Sequence, residues 1–224
     1  MLESNGFEAL ATTSAGFAHS IGKEDHEVTR DEKLAHALAL CAAVDLPISA
    51  DMENGFGDDP ATVAQTIKLA AEAGLVGASI EDFSPSAGRY PIEFAAERVA
   101  AAVEAARSLG FDFTLTARAE NYITGNLDLA DTIARLQAFQ DAGADVLFAP
   151  GLVKKEDIAS VVQSVDRPIN ILVGMPGMAF SLADFAELGV RRISVGSGLH
   201  YIAMQSVLKA ISEIKGSGTF GFTR

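Results

Sequence analysis

Acidic side chains cluster where two successive apolar segments end. The segment PISADMENGFGD carries Asp51 and Glu53 at the end of one run, and SIEDFS carries Glu81 and Asp82 at the end of the next. Side chains alternate along a strand, so Asp51 and Glu53 point to the same side. Converging carboxylates repel unless a cation or a proton relieves them, and oxygen donors suit Mg²⁺. The pattern therefore predicts a Mg²⁺ site, with carboxylates merely solvated at loop starts as the alternative.

A basic residue ends a further apolar segment. In TLTARAENY, Arg118 closes the run and Glu120 follows two residues later. An arginine in this place is suited to grip a carboxylate or phosphonate with two parallel hydrogen bonds. The alternative is a structural salt bridge to Glu81 or Glu120, and the two roles are compatible.

Small residues occupy the corresponding place near the start of the chain. In TTSAGFAHS, an apolar segment leads into a predicted loop with Ser14, Ala15 and Gly16. Their backbone N–H groups could approach an anion closely, although small residues in a turn also serve chain geometry alone.

Other reactive residue types show no comparable pattern. The histidines lack a metal-ligand spacing such as H-x-x-x-H, so none is given a catalytic role. Cys41 is the only cysteine and lies in an apolar stretch, so we expect a core residue.

An alternation of short strands and alanine-rich helices must position these residues. Predicted strands cover Phe7–Thr12, Pro47–Ala50, Gly77–Glu81, Phe113–Ala117, Val146–Phe148, Ile169–Val173 and Arg192–Val195. Predicted helices cover Arg30–Ala43, Asp59–Gly74, Pro91–Leu109, Asp128–Gly143, Lys155–Val165, Ser181–Leu188 and Ser206–Lys215. Such alternation builds a parallel sheet, open or closed.

A closed barrel is favoured over an open sheet. Acidic residues follow several different strands, which suits a barrel mouth, and no G-x-G-x-x-G loop follows the first strand. A closed barrel of this type has eight strands, whereas seven are predicted here. We therefore expect one α/β domain over residues 1–224, a (β/α)8 TIM-type barrel lacking the first βα unit, either truncated or completed by another chain.

Composition excludes some partners. The chain has 224 residues, 49% of them hydrophobic, with 30 acidic against 17 basic residues and a net charge of −13. This balance disfavours binding to nucleic acid. No apolar run approaches the ~20 residues of a membrane span, and no signal peptide opens the chain. We expect no membrane association and a cytoplasmic location.

Five motifs together resemble one known family. GFEALATTSAGFAHSIGKED, PISADMENGFGD, GASIEDFS, TLTARAENY and DAGADVLFAPGL are similar to successive strand ends of the phosphoenolpyruvate mutase/isocitrate lyase superfamily, over nearly the whole chain. The resemblance implies a bound Mg²⁺, or alternatively Mn²⁺. It implies Asp51 as the direct ligand, with Glu53, Glu81 and Asp25 holding the metal's waters.

The same resemblance implies roles toward a small carboxylate substrate. Arg118 would grip it, and Ser14, Ala15 and Gly16 would hold its carboxylate and oxo group; Arg118, Glu81 and Ser14 are the expected catalytic residues. Members of this superfamily break or form a C–C or P–C bond through an enolate-like intermediate, and commonly form homo-oligomers. We expect a homo-oligomer here too.

One segment departs from the family pattern. FSPSAGRYP lacks the K-[KR]-C-G-H loop of isocitrate and methylisocitrate lyases, and the lysine- and asparagine-containing loop of the mutases and phosphonopyruvate hydrolases. The expected function is therefore a Mg²⁺-dependent lyase or decarboxylase acting on a small 2-oxo or 2-hydroxy di- or tricarboxylate such as oxaloacetate, with Arg89 or Tyr90 as a polar contact.

Two alternatives to this function stay open. The first is P–C bond chemistry by a mutase or a phosphonopyruvate hydrolase. The second is a truncated, non-catalytic barrel that binds a partner through its exposed sheet edges.

Overall fold

Short apolar segments form nine strands in the computed structural model, which describes residues 1–223. In chain order they are β1 (Leu10–Ala11), β2 (Ile48–Asp51), β3 (Gly77–Glu81), β4 (Phe83–Ser84), β5 (Gly88–Arg89), β6 (Thr114–Arg118), β7 (Val146–Phe148), β8 (Ile169–Leu172) and β9 (Arg192–Ser194). β4 and β5 form an antiparallel hairpin. The other seven form one parallel sheet in the order β1-β2-β3-β6-β7-β8-β9.

Helices connect the parallel strands. They are α1 (Ser14–Ser20), α2 (Arg30–Cys41), α3 (Pro60–Glu72), α4 (Ile92–Arg107), α5 (Leu129–Asp141), α6 (Lys155–Gln163), α7 (Leu182–Glu187) and α8 (Gly198–Ser217), with 3-10 helices at Glu3–Asn5 and Gly221–Thr223. Their starts follow capping rules. Thr29 and Glu32 form a reciprocal capping box before α2, and Asp59 precedes Pro60 at the first position of α3.

The strand pattern confirms the predicted architecture. Strands β3, β7 and β8 are buried almost throughout, as expected where helices cover one face of a parallel sheet and the barrel interior covers the other. The sheet is a nearly closed seven-stranded barrel, consistent with a TIM-type barrel that lacks one unit. The core includes Ile67 of α3, Leu115 of β6 and Phe139 of α5, all fully buried.

Three predictions near the two ends of the described chain were wrong. The first strand is only Leu10–Ala11, since these two residues alone pair with β2. The segment predicted as a loop after β1 forms the helix α1. Gly16 permits this helix because a side chain at that position would collide with Thr13 and would lie close to His200. The last helix begins at Gly198, eight residues before the predicted Ser206, because Gly198 is accommodated at its first position.

The first and last strands of the sheet face each other without pairing in the described part of the chain. Side chains bridge this junction instead. Thr13 Oγ1 lies 2.6 Å from Ser197 Oγ, and His19 Nδ1 lies 3.0 Å from His200 Nε2. These contacts hold α1, and with it the residues after β1, against the start of α8.

Polar side chains also fill part of the barrel interior. Arg192 of β9 donates to Thr116 Oγ1 and to Ser49 Oγ, each at 3.0 Å. These acceptors belong to β6 and β2, so one arginine links three strands below the strand ends. In residues 1–223, no helix combines the length and the apolar character needed to cross a bilayer.

Candidate active site

The carboxyl ends of β2, β3 and β6 place three charged side chains together. Parallel pairing sets Glu81 directly beside Arg118, and Asp51 beside Ser79 one strand further along. Arg118 Nη1 lies 3.0 Å from Asp51 Oδ2 and 2.9 Å from Glu81 Oε1. The predicted convergence of Asp51, Glu81 and Arg118 is therefore present in the structure.

Glu120 holds the other side of the same guanidinium. Arg118 Nε donates to Glu120 Oε1 at 2.8 Å, and Nη2 donates to Glu120 Oε2 at 3.2 Å. The Phe148 ring lies 5.2 Å from the guanidinium carbon. Arg118 thus makes the structural salt bridges weighed from the sequence, while 12% of its side chain stays exposed toward the barrel mouth.

Two carboxyls on one guanidinium have opposite pKa shifts. Burial would raise the pKa of Asp51, but the positive charges of Arg118 and Lys33, with hydrogen bonds from the Glu53 N–H and the Ser14 hydroxyl, hold it at about 2. Burial raises the pKa of Glu81 well above its ordinary value despite Arg118, and the charges of Glu120 and Asp51 add to the effect. Asp51 is therefore ionised at neutral pH, and Glu81 is the carboxyl suited to hold a proton.

Glu53 lies on a strained turn after β2. Its backbone φ is 50°, and Phe56 has φ 61°, a left-handed conformation uncommon for residues other than glycine. Strain of this kind persists where surrounding contacts fix it, often at functional sites. Glu53 Oε2 lies 3.2 Å from His26 Nδ1, and Glu53 Oε1 is buried without a hydrogen-bond partner among residues 1–223.

His26 connects this turn to an open cleft. The hydrogen bond to Glu53 raises the pKa of His26, burial opposes it, and the charges of Asp25, Glu53 and Asp51 raise it further. The cleft measures about 610 Å³ and is lined by His26 and Glu53 together with residues from the starts of α2 and α3. Asp25 itself is exposed, and its charge is one of those that raise the pKa of His26.

The small residues near the start form the first turn of α1. Ser14 is buried, and its hydroxyl donates a hydrogen bond to Asp51. Ala15 and Gly16 are partly exposed. The first N–H groups of a helix have no partner within it, so this segment still offers donors beside Asp51. The structure thus brings Ser14 into the cluster of Asp51, Glu81 and Arg118.

Asp82 faces away from this cluster. Its carboxylate accepts from the Glu120 N–H at 2.8 Å and from Arg135 Nη1 at 2.9 Å. Arg135 also donates to Asp131 Oδ2 at 2.8 Å. Asp82 therefore fixes the backbone at Glu120 and belongs to the support of the site, whereas the sequence suggested a donor level with Glu81.

A buried arginine, Arg98, also supports the site. Arg98 of α4 is 1% exposed and, within residues 1–223, donates to backbone carbonyls alone: Nε to Asp58 at 2.9 Å, Nη1 to Glu81 at 3.1 Å, and Nη2 to Gly57 at 2.9 Å and to Asn54. These acceptors come from the strained turn and from the end of β3. Arg98 thus holds both segments that carry site carboxylates.

The segment FSPSAGRYP forms the β4–β5 hairpin. The hydroxyl of Tyr90 donates to Asp58 Oδ1 at 2.6 Å and accepts from Asn54 Nδ2 at 3.1 Å. Tyr90 is buried, so the structure gives it a packing role where the sequence suggested a substrate contact. Arg89 Nε lies 3.9 Å from Asp131 Oδ2, in the first turn of α5.

The donor set fits one kind of cation. Among residues 1–223, no three His, Cys, Asp or Glu side chains stand close enough to hold an ion between them. Asp51 is an ionised oxygen donor, and Glu53 Oε1 is a buried acceptor with no partner in the described chain. This chemistry fits a hard cation that contacts one carboxylate directly and keeps waters toward the others.

Sequence reasoning missed three buried basic residues, Lys33, Arg98 and Arg135. Lys33 shares a buried helix face with Ala37, four residues on, and Arg98 shares one with Ala95 and Val99. A basic residue at the apolar positions of a helical repeat is the signal that marks both, because such a residue needs an internal partner.

Known proteins are similar to this chain over most of its length. Residues 1–215 match the family model described as phosphoenolpyruvate phosphomutase. A crystal structure of a Burkholderia cenocepacia J2315 protein, provisionally described as a lyase/mutase, shares 54% identity with a TM-score of 0.97, covering 99% of this chain and 81% of that one.

Two similar proteins have more specific names. The structure of 2,3-dimethylmalate lyase, a PEP mutase/isocitrate lyase superfamily member, shares 29% identity with a TM-score of 0.86, covering 98% of this chain and 79% of that one. Oxaloacetate decarboxylase of Paraburkholderia xenovorans is 29% identical over 221 residues, covering 95% of this chain and 71% of the relative. Together with the match over residues 1–215, these relatives show that the chain belongs to the phosphoenolpyruvate phosphomutase family, whose members include lyases and mutases.

Proposed function

We propose that this protein is a divalent-cation-dependent lyase or decarboxylase acting on a small 2-oxo or 2-hydroxy dicarboxylate, with oxaloacetate as the first candidate. The observation that carries the proposal is the meeting of Asp51 and Glu81 on one nitrogen of Arg118 at the barrel mouth. The names of the similar proteins, an oxaloacetate decarboxylase and a 2,3-dimethylmalate lyase, support the substrate class.

Different residues of the site would bind the cation and the substrate. Asp51, as the ionised carboxylate, would be the direct ligand of Mg²⁺ or Mn²⁺, while Glu53, Glu81 and Asp25 would hold its waters. When bound, such a cation withdraws charge from the 2-oxo oxygen of a substrate. The first turn of α1, with Ser14, would orient the substrate's carboxylate beside it.

The chemistry for oxaloacetate is loss of its distal carboxylate. The bond to that carboxylate breaks, CO₂ leaves, and the electron pair moves toward the 2-oxo oxygen to give an enolate-like species, which takes up a proton at carbon to become pyruvate. Arg118 would stabilise the growing negative charge through the Nη2 hydrogen that Glu120 leaves free. Glu81, with its raised pKa, is the carboxyl that can carry a proton beside the reacting atoms.

The test begins with binding. Thermal stability is measured with Mg²⁺ and oxalate, separately and together, because oxalate mimics the enolate of pyruvate and ligands of the native state raise its stability. We expect a larger shift with both than the sum of the two alone. No shift with either ligand, in a folded protein, would contradict the proposal.

Turnover is then measured with oxaloacetate and Mg²⁺, coupling pyruvate release to a dehydrogenase and subtracting the rate without protein. Asp51→Asn serves as the matched inactive variant, and we expect activity only in the wild type. Release of inorganic phosphate from phosphonopyruvate, followed by ³¹P resonance, would instead favour P–C bond chemistry.

A further inference from the structure

Lys33 is a fully buried lysine whose ammonium has no hydrogen-bond partner among residues 1–223. Its side chain is 0% exposed on the inner face of α2. The Phe17 ring lies 5.8 Å from its Nζ. Buried lysines are rare and are normally paired, because removing an ammonium from water costs several kcal/mol. The position of Lys33 therefore calls for a compensating negative charge nearby.

Glu53, a carboxylate of the proposed cation site, supplies that negative charge without a hydrogen bond to Lys33. The nearest carboxylate oxygen is Glu53 Oε1, at 4.0 Å from Nζ, which is longer than a hydrogen bond. This oxygen is buried and is itself without a partner in the described chain. Glu53 is fixed from its other oxygen by His26 and from its backbone by the strained turn. Lys33 and Glu53 thus form an ion pair without a hydrogen bond between them.

The charge of Lys33 also reaches the expected metal ligand. After Arg118, Lys33 is the positive charge that contributes to the low pKa of Asp51. The charge of Lys33 therefore acts on both Asp51 and Glu53, the acidic groups expected to hold a cation. Like charges placed this close in a partly buried site repel strongly, since effective dielectric constants there are about 20.

We infer that Lys33 is a built-in counter-charge of the cation site, which opposes a divalent ion and sets how tightly it binds. The inference rests on the proposed divalent-cation site. When the site holds no divalent ion, Lys33 offsets the repulsion between the carboxylates. When an ion binds, Oε1 of Glu53 would be available to accept from the ion's waters, because no hydrogen bond to Lys33 occupies it. Lys33 acts through the field at Asp51 and Glu53 and is a positioning residue, not a catalytic one.

The test is direct Mn²⁺ binding, followed by electron paramagnetic resonance of the free ion. Lys33→Met keeps the length of the side chain and removes the charge, so we expect Mn²⁺ to bind about 10-fold more tightly or better. Lys33→Arg keeps the charge and should bind as the wild type does. Lys68→Met is the control, because Lys68 is exposed and lies toward the end of α3 remote from the strand ends.

Each outcome of the Mn²⁺-binding test supports or overturns either the inference about Lys33 or the proposed cation site. Unchanged or weaker Mn²⁺ binding by folded Lys33→Met would overturn the inference, whereas no binding by wild type and variants alike would overturn the proposed cation site itself. If Lys33→Met folds only with Mn²⁺ added, the ion replaces the missing charge and the inference holds. If it stays unfolded at saturating Mn²⁺, the fold needs the charge of Lys33 even when the ion is present, and the inference fails.

Discussion

Asp51 and Glu81 lie 3.0 and 2.9 Å from the same nitrogen of Arg118, yet their pKa values move in opposite directions. Asp51 has additional donors in the Glu53 N–H and the Ser14 hydroxyl, whereas Glu81 is surrounded by further carboxylates. One guanidinium therefore cannot neutralise both groups equally. The site holds one ionised and one proton-holding carboxyl, which is the division that acid–base chemistry on a 2-oxo acid needs.

The first prediction concerns Arg118. We expect Arg118→Ala to lower kcat/KM for oxaloacetate by about 100-fold or more, because a donor aimed at developing charge is lost. Arg118→Lys should recover little of this, since an ammonium cannot bind Glu120 with two parallel hydrogen bonds. Steady-state kinetics would measure both. Arg107→Ala, which removes a surface arginine paired with Asp145, is the control, and equal activity of Arg118→Ala and this control would refute the role.

A second prediction concerns the fixed turn after β2. Arg98→Ala leaves four backbone carbonyls without their donor, so we expect a loss of about 3–5 kcal/mol in the free energy of unfolding, measured by urea denaturation. Arg107→Ala should cost no more than about 1 kcal/mol, because its ion pair is on the surface. A small effect at Arg98 would show that the left-handed turn is stable without it.

Acid sensitivity gives a third prediction, at Glu32. The hydrogen bond from Lys23, with those from Thr29, lowers the pKa of Glu32 from 4.5 to about 2. A carboxyl whose pKa is lower in the folded state stabilises that state above its unfolded pKa, and this contribution is lost as pH falls from about 4.5 to about 2. Glu32→Gln should therefore destabilise the protein at pH near 7 and lose that effect in acid.

The measurement for Glu32 is the difference in the free energy of unfolding between wild type and variant at neutral pH and in acid. Glu93→Gln, at an exposed position in the first turn of α4, controls for the general loss of a negative charge. A difference that is constant with pH would contradict the assignment.

The fourth prediction concerns α8. This helix of 20 residues buries none of them in the described chain, and Leu199, Ile202, Val207, Leu208 and Ile211 are all at least 47% exposed. Apolar surface of this extent marks an interaction site. We propose that it joins copies of this chain, so the wild type should be a homo-oligomer in light scattering after size-exclusion chromatography.

Charged substitutions test this interface. Combining Ile202→Lys with Leu208→Lys should give a smaller, folded species. Leu182→Lys is the control, because Leu182 is 75% exposed on the short helix α7. A monomeric wild type would show that α8 serves another purpose.

The sequence predicted the elements of the barrel and the meeting of Asp51, Glu81 and Arg118, because parallel strands bring their carboxyl ends to one edge. Alternation along a strand also separates Asp82 from Glu81, so the motif SIEDFS is compatible with the opposite directions seen for these two side chains. The parts not predicted depend on tertiary contacts. Nothing local ties Arg98 to carbonyls about 40 residues earlier in the chain, since that pairing exists only once α4 covers the turn after β2.

The contact between Thr13 and Ser197 affects when the site forms during folding. These hydroxyls are 184 residues apart in sequence, and the neighbouring pair His19 and His200 is 181 apart. Contacts of such high sequence separation require closure of nearly the whole chain, so they form after the local βα units have packed. The first turn of α1 is fixed by this contact. We therefore expect the site to become complete late in folding, when the segment around Ser197 packs against the segment around Thr13.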